Sequence, residues 1–204
     1  MVVIIDYGVG NLGSIQNMLR KVGCQAITSS DPDVIMNAPK LLLPGVGAFD
    51  AGMQCLTERG LKPVLNDYVI SRKKPVLGIC LGMQLMTASS DEGSIPGLGW
   101  IDAQVKRIRP SDSTLKVPHM GWNQVRQVED DPLLTNLVTG SRFYFVHSYH
   151  VECHNPEDVL LTTNYGGEFH SAFRHGNIWG FQFHPEKSHK FGMQLLKNFA
   201  ELNQ

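Results

Sequence analysis

The sequence predicts an α/β fold: a single three-layer domain spanning residues 1–204, with a mainly parallel central sheet, helices on both faces and a strand-rich second half. Three observations predict it. In the first half, short and continuously apolar runs alternate with amphipathic segments, as expected of strands that helices cover on both faces. No linker, repeat or low-complexity stretch divides the chain. Its 204 residues suffice for one large domain with its own core.

The elements follow in order. Residues 2–6 read as the first strand. The apolar run is short, ends at Asp6 and has no basic segment before it, so it is not a signal peptide. A helix over 11–22 carries Leu12, Ile15, Leu19 and Val22 near helical spacing. Residues 25–28 form a strand. Asp31-Pro32 starts a helix, with the acid at the cap and proline at the first position. A strand over 40–43 runs into the loop Pro44-Gly45-Val46-Gly47, and 49–71 is mostly helical with a break near Gly60. Residues 75–79 form a strand, and a helix runs over 83–88. Strands are expected at 104–108, 123–128, 142–146, 159–163, 170–174 and 178–183, the last two joined by a hairpin turn at His175-Gly176-Asn177. An amphipathic helix over 188–202 closes the chain with Phe191, Leu195, Leu196 and Phe199 as its stripe, and Phe143, Phe145, Phe181 and Phe183 belong to the core.

Composition excludes several classes. A net charge of −1 and a pI near 6.7 leave no basic footprint for nucleic acid and no polybasic membrane patch. No segment approaches the ~20 apolar residues of a membrane-spanning helix. The cysteines Cys24, Cys55, Cys80 and Cys153 are scattered, with no CxxC, which suits reduced thiols and a cytoplasmic location. His184, Glu186 and His189 resemble a ligand cluster, but zinc-type spacings are absent, so neither a metal nor a cofactor is expected.

Two glycine-bearing segments compete to define the chemistry. Gly8-Val9-Gly10-Asn11-Leu12-Gly13 fits G-x-G-x-x-G, and Asp31 lies 18 residues beyond Gly13 (31 − 13), near where a dinucleotide fold places its ribose acid. Against a nucleotide-binding module, Asp6-Tyr7 interrupts the strand and the second half lacks a second βαβαβ unit. The simpler reading is a tight turn with close helix packing. The other segment is Gly78-Ile79-Cys80-Leu81-Gly82 at a strand end, the form of a nucleophile elbow in which small residues must flank a strained turn. Cys80 would sit at a helix N-terminus, where the dipole favours thiolate. Alone, the pentapeptide is equally consistent with an inert buried cysteine. His184-Pro185-Glu186 ends another strand. On extended chain, residues two apart share a face, so the carboxylate can orient the imidazole that takes the thiol proton. Parallel strands bring both ends to one sheet edge, giving a candidate Cys80-His184-Glu186 triad.

These residues, with Met83-Gln84 after the elbow, resemble the triad-type (class I) glutamine amidotransferases. Asp6-Tyr7-Gly8-Val9-Gly10-Asn11, Leu43-Pro44-Gly45-Val46-Gly47-Ala48-Phe49, Pro118-His119-Met120-Gly121-Trp122-Asn123 and Phe145-Val146-His147-Ser148-Tyr149 resemble, more narrowly, the glutaminase subunits of imidazole glycerol phosphate synthase, nearly end to end. The resemblance implies hydrolysis of glutamine to glutamate and ammonia, with Cys80 attacking the carboxamide and His184 moving the proton. It implies an oxyanion hole from the Leu81 amide and that of Val46 or Gly47, the latter after a peptide flip. Gln84 and the backbone around Ser148 and Tyr149 would hold the substrate. The ammonia acceptor would lie on a partner, a (β/α)8-barrel cyclase subunit forming a heterodimer in histidine biosynthesis, met by Asn11, Ser14, Met120 and Trp122. A glutaminase serving another ammonia-using synthase and a non-catalytic subunit that keeps the fold are the alternatives.

Overall fold

The computed structural model describes residues 1–138 and 140–202. Its strands are β1 (Val2–Ile5), β2 (Ala26–Ser29), β3 (Leu41–Leu43), β4 (Val76–Ile79), β5 (Ser89–Ser90), β6 (Ala103–Arg107), β7 (His119–Gln124), β8 (Arg126–Gln127), β9 (Arg142–His147), β10 (Tyr149–Cys153), β11 (Val159–Asn164), β12 (Glu168–His175) and β13 (Ile178–Phe181). The α-helices are α1 (Leu12–Lys21), α2 (Pro32–Asn37), α3 (Phe49–Glu58), α4 (Leu61–Asn66), α5 (Leu81–Leu85) and α6 (His189–Glu201).

The main sheet runs β2-β1-β3-β4-β13-β12-β10-β6-β5, with β11 attached at β12 and β8 on β11. Its first five strands are parallel, and the extension is antiparallel except for β5 on β6, so the whole is mixed. Alternate side chains of the parallel strands enter two cores. Val3, Ile5, Leu41, Leu43 and Val76 pack with α2, α3 and α4 on one face. Val2, Ile4, Leu42, Leu77 and Ile79 pack with α1 and α6 on the other. Burying both faces is why these strands are apolar without alternation.

Punctuation follows local chemistry. Asp31 accepts from the amides of Asp33 and Val34 ahead of Pro32. Gly60, at φ 66°, separates α3 from α4. Gly176 and Asn177 turn the β12–β13 hairpin, with Gly176 at φ 57°. Gly8 and Gly10, at φ 91° and 112°, make the tight turn expected after β1, but a Cβ on Gly13 would meet nothing, so close helix packing does not require that third glycine.

Strand β10 forms where the sequence reading expected none, and several boundaries differ from it. The strand expected at 123–128 begins at His119 and breaks before Arg126. Its main part, β7, leaves the large sheet to pair with β9 in a separate two-stranded ribbon. The last strand stops at Phe181 rather than residue 183, and beyond it His184 forms a lone bridge to Tyr144. The helix after the elbow starts at Leu81 and ends at Leu85, not 83–88, because the turn closes directly on Cys80.

Candidate functional site

The site grows from the adjacent C-terminal ends of β4 and β13. These strands pair in parallel, Gly78 opposite Gly180, and the Cys80 amide donates to the Phe181 carbonyl at 2.7 Å. The elbow is as tight as its glycines suggest. A Cβ on Gly82 would lie 1.9 Å from the Leu43 carbonyl oxygen, and one on Gly78 would lie 2.8 Å from the Met83 backbone. Cys80 itself adopts φ 54°, ψ −111°, a conformation that costs a non-glycine residue about 1–3 kcal/mol and aims its side chain out of the turn. Leu81 begins α5, so its N–H has no intrahelical acceptor and is free to serve a ligand. With five residues, α5 is a short source of dipole, so the groups that neighbour Cys80 matter more to the site.

His184 is one such neighbour. Its Nδ1 lies 2.7 Å from Glu186 Oε1, both side chains being 2 % exposed. The route differs from the sequence argument. Glu186 sits in a 3-10 turn, Pro185–Lys187, and not on extended chain, so the turn rather than strand alternation swings the carboxylate under the imidazole. The backbone is clamped on both sides. The His184 amide donates to Tyr144 at 2.9 Å, and the Ser188 hydroxyl donates to the His184 carbonyl at 2.6 Å. Burial pushes the imidazolium pKa down, but the Cys80 sulfur and the Glu186 carboxylate outweigh it and hold the ring at about 10. Nε2 has no hydrogen bond of ordinary geometry, and after burial the nearby Cys80 sulfur is the largest influence on the ring. In the charged ring Nε2 carries a proton that it can give to a leaving group.

A cavity of about 300 Å³ opens over these groups. Cys80, Leu81, Gln84, His184, Val46, Gly47, Ser148 and Tyr149 all line it, so eight of the nine residues expected at the triad, oxyanion hole and substrate site share one wall system, with Glu186 beneath. Asn11, Ser14, Met120 and Trp122 do not. Met120 and Trp122 project from β7 at 61 % and 40 % exposure, while Asn11 is exposed and caps α1 by accepting from the Ser14 amide. His189 stands apart from His184 and Glu186, its ring stacked on Trp122 at 5.3 Å, and no group of three metal-ligating side chains converges among the described residues.

Gln84 departs from a simple substrate holder. Both its N–H groups are used internally, on the Tyr149 carbonyl at 3.1 Å and on Gln182 Oε1 at 3.0 Å. Only its carbonyl oxygen remains for a ligand. The Tyr149 carbonyl also accepts from His147, and that of Ser148 from the Ile108 amide, so this segment offers a ligand N–H and O–H groups.

Several site residues escaped the sequence reading, His147 on the cavity wall among them. Gln182, fully buried, points its amide at Cys80 Sγ across 3.8 Å. A lone amide inside Trp179-Gly180-Phe181-Gln182-Phe183 was the available signal. Glu92 puts a carboxylate in the cavity while accepting from the Phe49 amide at 2.9 Å, with no local motif to announce it. Tyr7, buried at the end of β1, donates to the Pro44 carbonyl at 2.6 Å and ties down the loop that carries Val46 and Gly47.

Comparison with known proteins identifies the family and the fold. The family model described as glutamine amidotransferase class-I matches residues 3–202. An imidazole glycerol phosphate synthase subunit HisH 2 from Pseudomonas aeruginosa is 55 % identical over 99 % of this chain and 100 % of its own. The protein of the same name from Methanococcus maripaludis is 54 % identical over 98 % of this chain and 99 % of its own. Among solved structures, a glutamine amidotransferase superposes with a TM-score of 0.76 at 16 % identity, covering 99 % of this chain and 100 % of its own. A chain of PurLQS from Thermotoga maritima gives 0.74 at 17 %, covering 97 % and 96 %. At such identities these structures speak for the fold alone.

Proposed function

The chain belongs to the class I glutamine amidotransferases, among the HisH glutaminase subunits, and from that premise we propose that it hydrolyses glutamine through Cys80, His184 and Glu186 and passes the ammonia to a synthase partner in histidine biosynthesis. The observation that carries this reading is the cavity in which a strained, glycine-flanked cysteine faces a carboxylate-backed histidine beside two sets of backbone amides.

Glutamine binds with its carboxamide over Cys80. The thiolate attacks the carbonyl carbon, and the oxyanion takes hydrogen bonds from the Leu81 amide and from that of Val46 or Gly47. His184, held protonated by the charges of Cys80 and Glu186, gives its proton to the departing ammonia. It then draws a proton from water, whose hydroxide attacks the γ-glutamyl thioester, releasing glutamate and restoring the Cys80 thiolate beside protonated His184. Glu92 supplies the charge that complements the substrate's ammonium group, and the donors at Ser148 and Tyr149 suit its carboxylate.

Free ammonia is soon protonated in water and loses its nucleophilic lone pair, so a separate acceptor site docked over the cavity mouth suits the chemistry. The partner we propose is a (β/α)8-barrel cyclase subunit, meeting Asn11, Ser14, Met120 and Trp122. The exposed apolar side chains of Met120, Trp122, Val46 and Val117 supply a surface for it. The four free thiols fit a cytoplasmic setting. Among the described residues no helix is long and apolar enough to cross a membrane.

The test is steady-state glutamate release from glutamine by the wild-type chain and Cys80→Ala, each with and without a barrel synthase subunit. Release is expected from the wild type, strongest with the partner, and none above background from Cys80→Ala. Full release by Cys80→Ala would refute the reading.

A further inference from the structure

Strand β7 turns Met120 and Trp122 outward and His119 inward, where the ring lies between Tyr165 and Phe145 at centroid distances of 4.0 and 4.7 Å. On the paired strand β9, directly opposite, stands His147. The two imidazoles touch, Nδ1 of His119 at 2.9 Å from Nε2 of His147. His147 Nδ1 lies 2.7 Å from the Tyr149 carbonyl oxygen, and the Asn123 amide nitrogen lies 3.3 Å from His119 Nε2.

Chemistry fixes where every proton sits. A carbonyl only accepts, so the His147 proton is on Nδ1 and its Nε2 is an acceptor. His119 must then donate through Nδ1, which leaves its own Nε2 to accept from Asn123. With both rings neutral, one arrangement satisfies all three contacts. A further proton on either ring would set two N–H groups against each other. Burial favours the neutral rings, lowering His119 to about 4 and His147 to about 3. The chain of bonds does not stop at Tyr149. Its carbonyl shares Gln84, Gln84 donates to Gln182, and Gln182 donates to the Cys80 sulfur.

We propose that His119 and His147 are positioning residues of the glutaminase site: as two neutral imidazoles they carry one directed hydrogen-bond chain from Asn123 to the Tyr149 carbonyl and, through Gln84 and Gln182, fix the donor that faces Cys80. This rests on the reading of Cys80 as the glutaminase nucleophile. Neither histidine touches the reacting atoms. They hold the Tyr149 carbonyl, and that carbonyl sets which way the Gln84 amide points. A reversed Gln84 amide would present oxygen to oxygen at Tyr149 and would turn Gln182 away from the sulfur.

Two measurements test it. In the wild-type chain at pH 7, ¹⁵N NMR of the imidazoles should find the Nδ1–H tautomer in both His119 and His147, and an Nε2–H tautomer in either would overturn the proposal. In variants, His147→Asn keeps a donor where Nδ1 stands, whereas His147→Gln reaches toward His119 and gives up the bond to Tyr149. His147→Gln should lower kcat for glutamine about tenfold, the worth of one buried hydrogen bond, with KM within about twofold. His147→Asn should recover most of that loss. Equal kcat in the two, or the reverse order, means that the histidines only pack the ribbon. If Cys80→Ala still hydrolysed glutamine, the glutaminase reading would fall and take this proposal with it. If Cys80→Ala is dead and both His147 variants turn over like wild type, the positioning role alone is refuted.

Discussion

At the scale of single residues, the triad divides into parts with different duties and so into different expected losses. In the proposed mechanism His184 moves protons, and its ring is held charged at neutral pH by Cys80 and Glu186 against the opposing pull of burial. His184→Ala should therefore lower glutamine turnover by about 10²–10⁴-fold, the range of a general acid–base group, and Glu186→Gln should lower it less, since the carboxylate orients and moves no proton. Glutaminase activity near wild type in His184→Ala would contradict the assignment. Glu92 is assigned to binding instead in the proposed mechanism. Glu92→Gln should raise KM for glutamine about tenfold at nearly constant kcat, and the reverse pattern in initial-rate data would remove Glu92 from the substrate site. The proposed nucleophile and histidine stand out in the sequence because each sits in a short local pattern, glycines around Cys80 and a His-Pro-Glu step. Gln182, Glu92 and His147 do not, because what makes them part of the site is a contact made across the fold.

At the scale of elements, the loop Pro44–Gly47 would, in the proposed mechanism, decide how complete the oxyanion hole is. Gly47 at φ 106° leaves the backbone room to turn, while Tyr7 holds the Pro44 carbonyl from below. Gly45 is pinned, since a Cβ there would lie 2.7 Å from the Tyr7 oxygen and 2.8 Å from the Gly82 amide nitrogen. A loop fastened at one end and loose at the other is suited to two states. One missing oxyanion donor costs about 10²–10³ in rate. Tyr7→Phe, which removes only the latch, should raise glutamate release by the isolated chain and narrow its difference from the complex. A lower rate in the isolated chain, with the complex unaffected, would show that the tyrosine supports the competent loop. The sequence displayed the loop's glycines but not its fastening, because Tyr7 and Pro44 are far apart in the chain. Regular elements on the parallel side were readable from apolar runs and caps. The β7–β9 ribbon was not, since alternating strands carry no label for the sheet they join.

At the scale of the whole molecule, the antiparallel half is built around neutral buried histidines, and this sets an acid limit. An imidazole whose folded pKa lies below its unfolded value of about 6.5 stays neutral in the native state while the unfolded chain takes up a proton. The unfolded state then binds more protons, so stability is retained above about pH 6.5 and falls as pH drops toward the folded values of about 4 and 3 for His119 and His147. Each ring contributes about 1.4 kcal/mol per pH unit across that window. Urea midpoints measured from pH 7 to 4.5 should fall accordingly, and His119→Asn should flatten the slope. A midpoint independent of pH would mean that these rings are charged when folded. One further measurement, on the intact chain, goes directly to the assignment of Cys80. A glutamine-analogue electrophile should add once per chain, and peptide mass spectrometry should find the adduct on Cys80, with Cys24, Cys55 and Cys153 unmodified and Cys80→Ala unlabelled. An adduct on another cysteine, or label spread over all four, would contradict it.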